Sequence, residues 1–320
     1  MITEFTIPPT GGQQPNSITA GRDGNLWFTE TRANTKEADG IQIGCLTPEG
    51  VITEHPVYTS NDQAWAVITV GPDGNLWFPV PICTELKVHR HKIGRLTPSG
   101  VFTEFTLPMP ARIENNIRND IMVHDITAGP DGNVWFIAHN MMGLFIGRLT
   151  PTGAFTQFGH PDPDRLAAAV GITVGPDSNL WFMVSKANKI GRLTPTGVLT
   201  EFPIPTADSL NSGITAGPDG TLWFTAGTNR IWRFILAGGL FSEFHIPTLS
   251  LGGITAGPDG NVWFTERDAN KIGRLTPTGV LTEFPIPTAN SMPKAITVGP
   301  DGNLWFTELQ ANKIGRFTLQ

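Results

Sequence analysis

Short runs of alternating apolar and polar residues recur along the whole chain, separated by clusters of glycine, proline, asparagine and aspartate, and no helical period of apolar residues emerges. The most regular run is Ile-Thr-Ala/Val-Gly-Pro-Asp-Gly-Asn-Leu-Trp-Phe. With small changes it starts at Ile18, Ile68, Ile126, Ile172, Ile214, Ile254 and Ile296. A tryptophan follows nine positions later in each copy, at Trp27, Trp77, Trp135, Trp181, Trp223, Trp263 and Trp305, while the spacing between copies varies from 40 to 58 residues. Seven units therefore share a fixed inner half, and the length variation falls elsewhere.

Each unit predicts four strands: an inner one around Ile-Thr, a second around Leu-Trp-Phe-Thr, a third around Lys-Ile-Gly-Arg-Leu and an outer one around Leu-Thr-Glu-Phe-Pro-Ile. Gly-Pro-Asp-Gly and Thr-Pro-Thr-Gly supply the turns, proline presetting φ and the last glycine accepting a positive one. The seventh unit stops after Lys313-Ile314-Gly315-Arg316-Phe317 without an outer strand, and the chain starts with an orphan one at Thr3-Glu4-Phe5. Pairing the two closes a ring and hides both edges. The expected fold is all-β: one seven-bladed β-propeller of four-stranded antiparallel blades spanning 1–320, with residues 2–7 as the outer strand of blade seven.

The repeated tryptophans read as packing between blades. Arg95, Arg148, Arg192, Arg274 and Arg316 read as cross-strand charge partners of Glu54, Glu104, Glu201 and Glu283. Chain direction puts the approach to every inner strand and the second-to-third links on one side, the top. The insertions at 31–41, 80–92 and 109–123, with a milder one at 159–170, all fall there, which places the expected site at the top mouth near blades one to three.

Histidines agree with that displacement: His89, His91, His124, His139 and His160 fall in top segments. His124, two residues before Ile126, and His139, four after Trp135, flank the opening within one blade and are expected to ligate a metal or exchange a proton. Asp125 should turn away from His124 if strand alternation has begun. Lys294 holds in blade seven the position of His124, and Glu30, Glu266 and Glu308 each follow a repeat tryptophan by three residues. The 109–123 insertion adds Arg112, Glu114, Arg118 and Asp120, and Cys83 on a decorated loop offers a thiol. The catalytic set expected is His124, His139, Lys294 and Glu308, with His124 and His139 as metal ligands.

A formal charge of -6 with no basic run argues against nucleic acid, and the lack of an 18-residue apolar stretch argues against a membrane span. The two cysteines, Cys45 and Cys83, occupy unrelated repeat positions and suggest no disulfide framework, which fits a cytoplasmic chain; secretion with a removed signal is the other option. A monomer acting on a small-molecule or cyclic peptide-like ligand is expected.

Gly-Pro-Asp-Gly-Asn-Val-Trp-Phe-Thr-Glu followed by Ala-Asn-Lys-Ile-Gly-Arg-Leu-Thr-Pro-Thr-Gly, within residues 257–279, resembles the virginiamycin B lyase (streptogramin lyase) family. The resemblance implies a seven-bladed propeller and an elimination that opens a cyclic depsipeptide at its ester with the help of magnesium. Such chemistry needs a base, an acid for the leaving group and a cation for the ester carbonyl. The family's pattern has a histidine two residues before the inner isoleucine of blade six, a Glu-x-His triplet at that place in blade seven and a glutamate shortly after the following Trp-Phe. Here those positions hold Gly252, Met292-Pro293-Lys294 and Leu309, with Glu308 one residue early. His124 and His139 occupy in blade three the places of the triplet's histidine and the later glutamate, and Met122 stands where the first carboxylate falls. Two readings follow: a divergent lyase-like propeller binding a small or cyclic organic ligand, with a divalent cation and ring-opening chemistry, or a non-catalytic ligand- or protein-binding scaffold.

Overall fold

A computed structural model describes residues 1–8, 13–32, 41–57, 67–83, 89–108, 121–140, 143–159, 169–184, 187–206 and 211–319. They form seven four-stranded antiparallel sheets, each of strands consecutive in sequence save the one that begins and ends the chain. Blade three is representative, with strands Met122–Ala128, Val134–Asn140, Gly143–Leu149 and Phe155–Gly159 from the inside outward. Each inner strand neighbours those of the adjacent blades, and blade seven (Pro293–Val298) meets blade one (Gln13–Ala20), so the ring is closed.

The spacing of the repeat has a direct cause. In blade three the Asp131 carboxylate of the first turn accepts from the Asn133 backbone N–H at 3.2 Å and from Trp135 Nε1 at 2.8 Å. The same aspartate–tryptophan bond recurs at Asp177, Asp219, Asp259 and Asp301. Aspartate four residues before tryptophan therefore ties turn to strand and satisfies the one polar atom of an otherwise buried indole. Each of the seven repeat tryptophans, at most 1% exposed, packs into the next blade. Trp27 and Ile43 of blade one meet Leu76 and Phe78 of blade two, and the pattern continues round to Trp305 and Ile314 of blade seven against Leu26 and Phe28 of blade one. The core is thus seven inter-blade layers rather than one centre.

The closing strand Ile2–Thr6 pairs with Lys313–Phe317 in the register Ile2 to Phe317 through Thr6 to Lys313, as the sequence suggests. Glu4 accepts from Lys313 Nζ at 3.0 Å, from Thr288 N at 3.0 Å and from Thr288 Oγ1 at 2.8 Å. Phe5 stacks on Trp305 with ring centroids 5.4 Å apart.

The charge pairing expected from the repeat is corrected in its partners. Arg95, Arg148 and Arg192 face the turn aspartates Asp73, Asp131 and Asp177 at 3.8, 3.6 and 3.9 Å, and lie over the tryptophan rings. Arg95 and Arg148 also donate to the Pro151 and Pro195 carbonyls of the next blade. The glutamates Glu104, Glu201 and Glu283 pair instead with Lys92, Lys189 and Lys271. Both sets remain structural.

In blade two the 80–92 insertion, expected as a loop, continues the sheet: strands Leu76–Cys83 and His89–Leu96 pair as far as Cys83 opposite His89. Its tip and most of the other three insertions lie outside the described residues, as do Arg112, Glu114, Arg118, Asp120, His160 and the side chains of Cys83, His89 and His91. Cys45 is buried between blades one and two, and burial followed by the charge of Asp23 pushes its thiol up to about 11, which removes it as a nucleophile at neutral pH.

Candidate functional site

At the top of six of the inner strands the ladder skips just before the repeat isoleucine, as between Val123 and Asp125 in blade three and between Pro293 and Ile296 in blade seven. A bulge re-aims the extra residue away from the regular alternation. Two positions before the isoleucine stand Asn16 in blade one, His124 in blade three, Gly252 in blade six and Lys294 in blade seven.

A second-strand threonine fixes the bulge. Thr307 Oγ1 accepts from Ala295 N at 3.0 Å within blade seven and donates to the Asn16 carbonyl of blade one at 3.2 Å; Thr265 Oγ1 of blade six donates to the Lys294 carbonyl at 2.8 Å. In blade three that threonine is replaced by Ile137, and Asp125 takes over the task. Its carboxylate accepts from Ile126 N and from Ile172 N of blade four, both at 2.9 Å. Burial pushes this carboxyl up to about 6 against those bonds. Asp125 is therefore an inter-blade strut directed at blade four.

His124 and His139 do meet. Nε2 of His124 lies 2.5 Å from Nδ1 of His139, a hydrogen bond with one proton between two ring nitrogens. His124 is only 8% exposed; burial and then the charge of His139 push its imidazole down to about 4, and burial lowers His139 as well. Both are neutral at pH 7.

Lys294 lies elsewhere in the ring. Its Nζ donates to Asn16 Oδ1, and burial followed by the charge of Arg267 pushes its ammonium down to about 8. Blades one and two separate it from the histidine pair on one side and blades four to six on the other.

Glu308, expected at the mouth, is fully buried within blade seven, as are Glu30 in blade one and Glu266 in blade six. Burial first, then the neighbouring outer-strand carboxylates Glu4, Glu54 and Glu283, raise their pKa values: Glu308 to about 7, Glu30 to about 8, and Glu266 in the same direction. Space for Glu266 comes from Gly273 on the third strand. A Cβ on Gly273 would lie 2.2 Å from the Phe264 ring and 2.9 Å from Glu266 Oε1.

These carboxyls make stability pH-dependent with a definite sign. Glu30 binds its proton more tightly folded than unfolded, so its stabilisation is present below about pH 4.5 and is lost as pH rises through about 8. Glu30→Gln is expected to melt at a higher temperature than the parent at pH 8.5 and at about the same temperature at pH 5. Equal melting differences at the two pH values would contradict the assignment.

Sequence reasoning missed Arg267 and Asn16. Arg267 follows Trp263 by four residues, the place His139 holds after Trp135, and Asn16 shares the bulge position of His124 and Lys294. A cleft of about 620 Å³ lies on the other side of this geometry, lined by Ile2, Trp263, Arg274, Phe284 and Phe317 where the chain ends meet; none of the mouth residues lines it.

The model of the virginiamycin B lyase family matches residues 1–250 and 227–320, which together span the chain. The chain belongs to that family. Among solved structures, a streptogramin B lyase shares 36% identity with a TM-score of 0.81, covering 100% of this chain and 98% of that one. A catalytically inactive histidine-to-alanine variant of virginiamycin B lyase from Staphylococcus aureus with quinupristin gives 36% identity, the same TM-score, and coverage of 100% and 99%. A selenomethionine-substituted virginiamycin B lyase from the same organism matches at 35%, again at 0.81. A search of curated proteins finds no match.

The magnesium that membership in the virginiamycin B lyase family implies does not fit the residues present. A hard divalent cation requires several oxygen ligands, whereas the blade-seven positions carry the thioether of Met292 and the ammonium of Lys294. Among the described residues no group of three or more His, Cys, Asp or Glu side chains converges. One ring nitrogen of His124, Nε2, and one of His139, Nδ1, are taken up by each other.

Proposed function

We propose that this chain receives a small or cyclic organic ligand at its top mouth, and that the His124–His139 pair serves a carbon–oxygen elimination of the lyase type there. The observation that carries the reading is the hydrogen-bonded imidazole pair placed on the bulge of blade three. In such an elimination a base removes the proton from the carbon beside the one bearing the ester oxygen. The C–H electron pair becomes the second bond of the alkene, and the C–O pair leaves with the carboxylate. A neutral His124 accepts that proton as it passes its own to His139, and His139 gives a proton to the departing carboxylate, so that neither imidazole of the buried pair stays charged.

One observation favours a second reading, a binding propeller without turnover: an imidazole held at about 4 is a weak base. The two readings separate in one assay. Quinupristin and simple β-acyloxy esters are offered to the parent protein and to the His124→Ala/His139→Ala double variant, with binding followed by calorimetry and products by mass spectrometry. The expected result is no linearisation of quinupristin, binding weakened about tenfold or more in the double variant, and ester elimination, with product mass summing to substrate mass, only in the parent. Binding and turnover unchanged in the double variant, or products one water heavier, would remove the histidines from this role; binding lost in the double variant without turnover in the parent selects the second reading.

A further inference from the structure

We propose that Lys294 and Arg267 form an oxyanion site at the rim of the mouth between blades six and seven, taking the carboxylate or phosphate group of a small ligand. The inference rests on the mouth being the ligand site and names the chemistry of what enters it.

Two cationic residues border Gly252 here, where a Cβ would lie 2.7 Å from the Lys294 carbonyl oxygen and 3.4 Å from Arg267 Cγ, and neither meets a carboxylate among the described residues. Among the described residues Lys294 donates to the neutral Asn16 amide oxygen alone, with two of its three N–H groups left over. Among the described residues no side-chain hydrogen bond of Arg267 is formed, and its Nε is buried without a partner. A buried Nε without a partner is shared by Arg95, Arg192, Arg274 and Arg316; what sets this place apart is the missing acid, since Lys189, Lys271, Lys313, Arg230 and Arg233 each lie within 3.0 Å of an acidic oxygen. Of the two carboxylates flanking Arg267 in sequence, Glu266 is buried inside its own blade beside Glu283 and Lys271, and Asp268 is exposed and forms no ion pair with Arg267 among the described residues.

The site is also built rather than incidental. The Lys294 backbone is fixed by the bulge and by Thr265 Oγ1, and the Arg267 backbone N–H donates to the Ser250 carbonyl at 2.9 Å. Gly252 lies under the arginine: a Cβ there would meet Arg267 Cγ at 3.4 Å, an ordinary contact, so the stem rests against the backbone of the neighbouring strand. The depression of the Lys294 pKa by burial and then by Arg267 agrees with two like charges held together in a partly desolvated position. A planar guanidinium fork beside a point-charge ammonium matches an oxyanion, which accepts charge-assisted bonds from both and supplies the partner that Nε lacks. The substitution of Lys294 for the family's histidine therefore inverts the preference at this rim, from a cation to an anion.

The test is a calorimetric titration of the parent, Lys294→Met, Arg267→Gln and Lys189→Met proteins with inorganic phosphate and, separately, with acetate, alongside melting curves at each ion concentration. At least one ion should bind the parent and raise its melting temperature. Either cation-removing change should weaken that binding about tenfold or more, and Lys189→Met should leave it intact; the ion preferred tells phosphate from carboxylate. No binding of either ion, or equal loss in Lys189→Met, would overturn the oxyanion site. Because Lys294→Met and Arg267→Gln act independently, misfolding of one leaves the other decisive. A neutral cyclic ligand that binds in a His124-dependent manner while both ions fail would sink this inference and leave the mouth reading standing.

Discussion

A chain lacking residues 1–7 is expected to lose about 5 kcal/mol or more of stability, a large share of the 5–15 kcal/mol typical of a folded domain, and to aggregate on mild heating. Fully buried Ile7 seals the layer between blades seven and one, which alone is worth about 1.5–3 kcal/mol. Phe5 stacks on Trp305 and lies under the Arg316 guanidinium at 5.6 Å. Glu4 holds Lys313 and reaches across to Thr288, charge-assisted bonds worth about 1.5–3 kcal/mol together. Truncation also bares the ladder of Lys313–Phe317, an unprotected edge that other chains can extend. Circular dichroism melting with light scattering checks both parts. A truncated chain that melts within about 2 °C of the parent and stays in solution would show that closure by this strand contributes little.

The same ring explains what the sequence disclosed and what it hid. Seven copies of one phrase, an unfinished last unit and a spare first strand leave one economical arrangement, and the register of Ile2–Thr6 follows from it. Side-chain partners were harder, because in a sheet an offset of one residue reverses the face. Arg192 stands opposite Thr200, and Glu201 opposite Gly191, so arginine and glutamate project to opposite faces although their strands are paired. Glu308 was misplaced for the same reason: three residues after the tryptophan points into the blade and four points to the mouth. The His124–His139 contact was legible because both residues belong to one blade. Arg267 escaped because its partner Lys294 belongs to the next one, and unit-by-unit reading does not join positions across blades. The extended hairpin of blade two was hidden in a stretch whose prolines, Pro79 and Pro81, suggest a loop.

Restoring the family's histidine is expected to damage this propeller rather than to activate it. A Cβ on Gly252 falls 2.2 Å from Thr265 Oγ1 and 2.7 Å from the Lys294 carbonyl oxygen, inside the separation that bonded neighbours tolerate. Those two atoms are themselves joined by the bond that fixes the bulge of blade seven to blade six. Any side chain at 252 must therefore push the two blades apart or break that bond. Overpacking costs about 1–3 kcal/mol and the broken buried bond about 1–3 kcal/mol more, so Gly252→Ala should already show most of the loss. Gly252→His adds an imidazole to a Cβ that already meets the Thr265 hydroxyl and the Lys294 carbonyl. Carrying Met292→Glu and Lys294→His as well leaves that crowding in place, because the oxygen it meets at 294 belongs to the backbone. The triple variant should be less stable than the parent and should fail to linearise quinupristin. Thr265→Ala in the Gly252→Ala background separates the causes: it removes the hydroxyl clash and leaves the carbonyl contact, so only part of the stability should return. Linearisation by the triple variant, or a Gly252→Ala protein that melts with the parent, would mean that the blade six–seven seam gives way easily, and that the family's site was lost by drift in side chains alone rather than closed by packing.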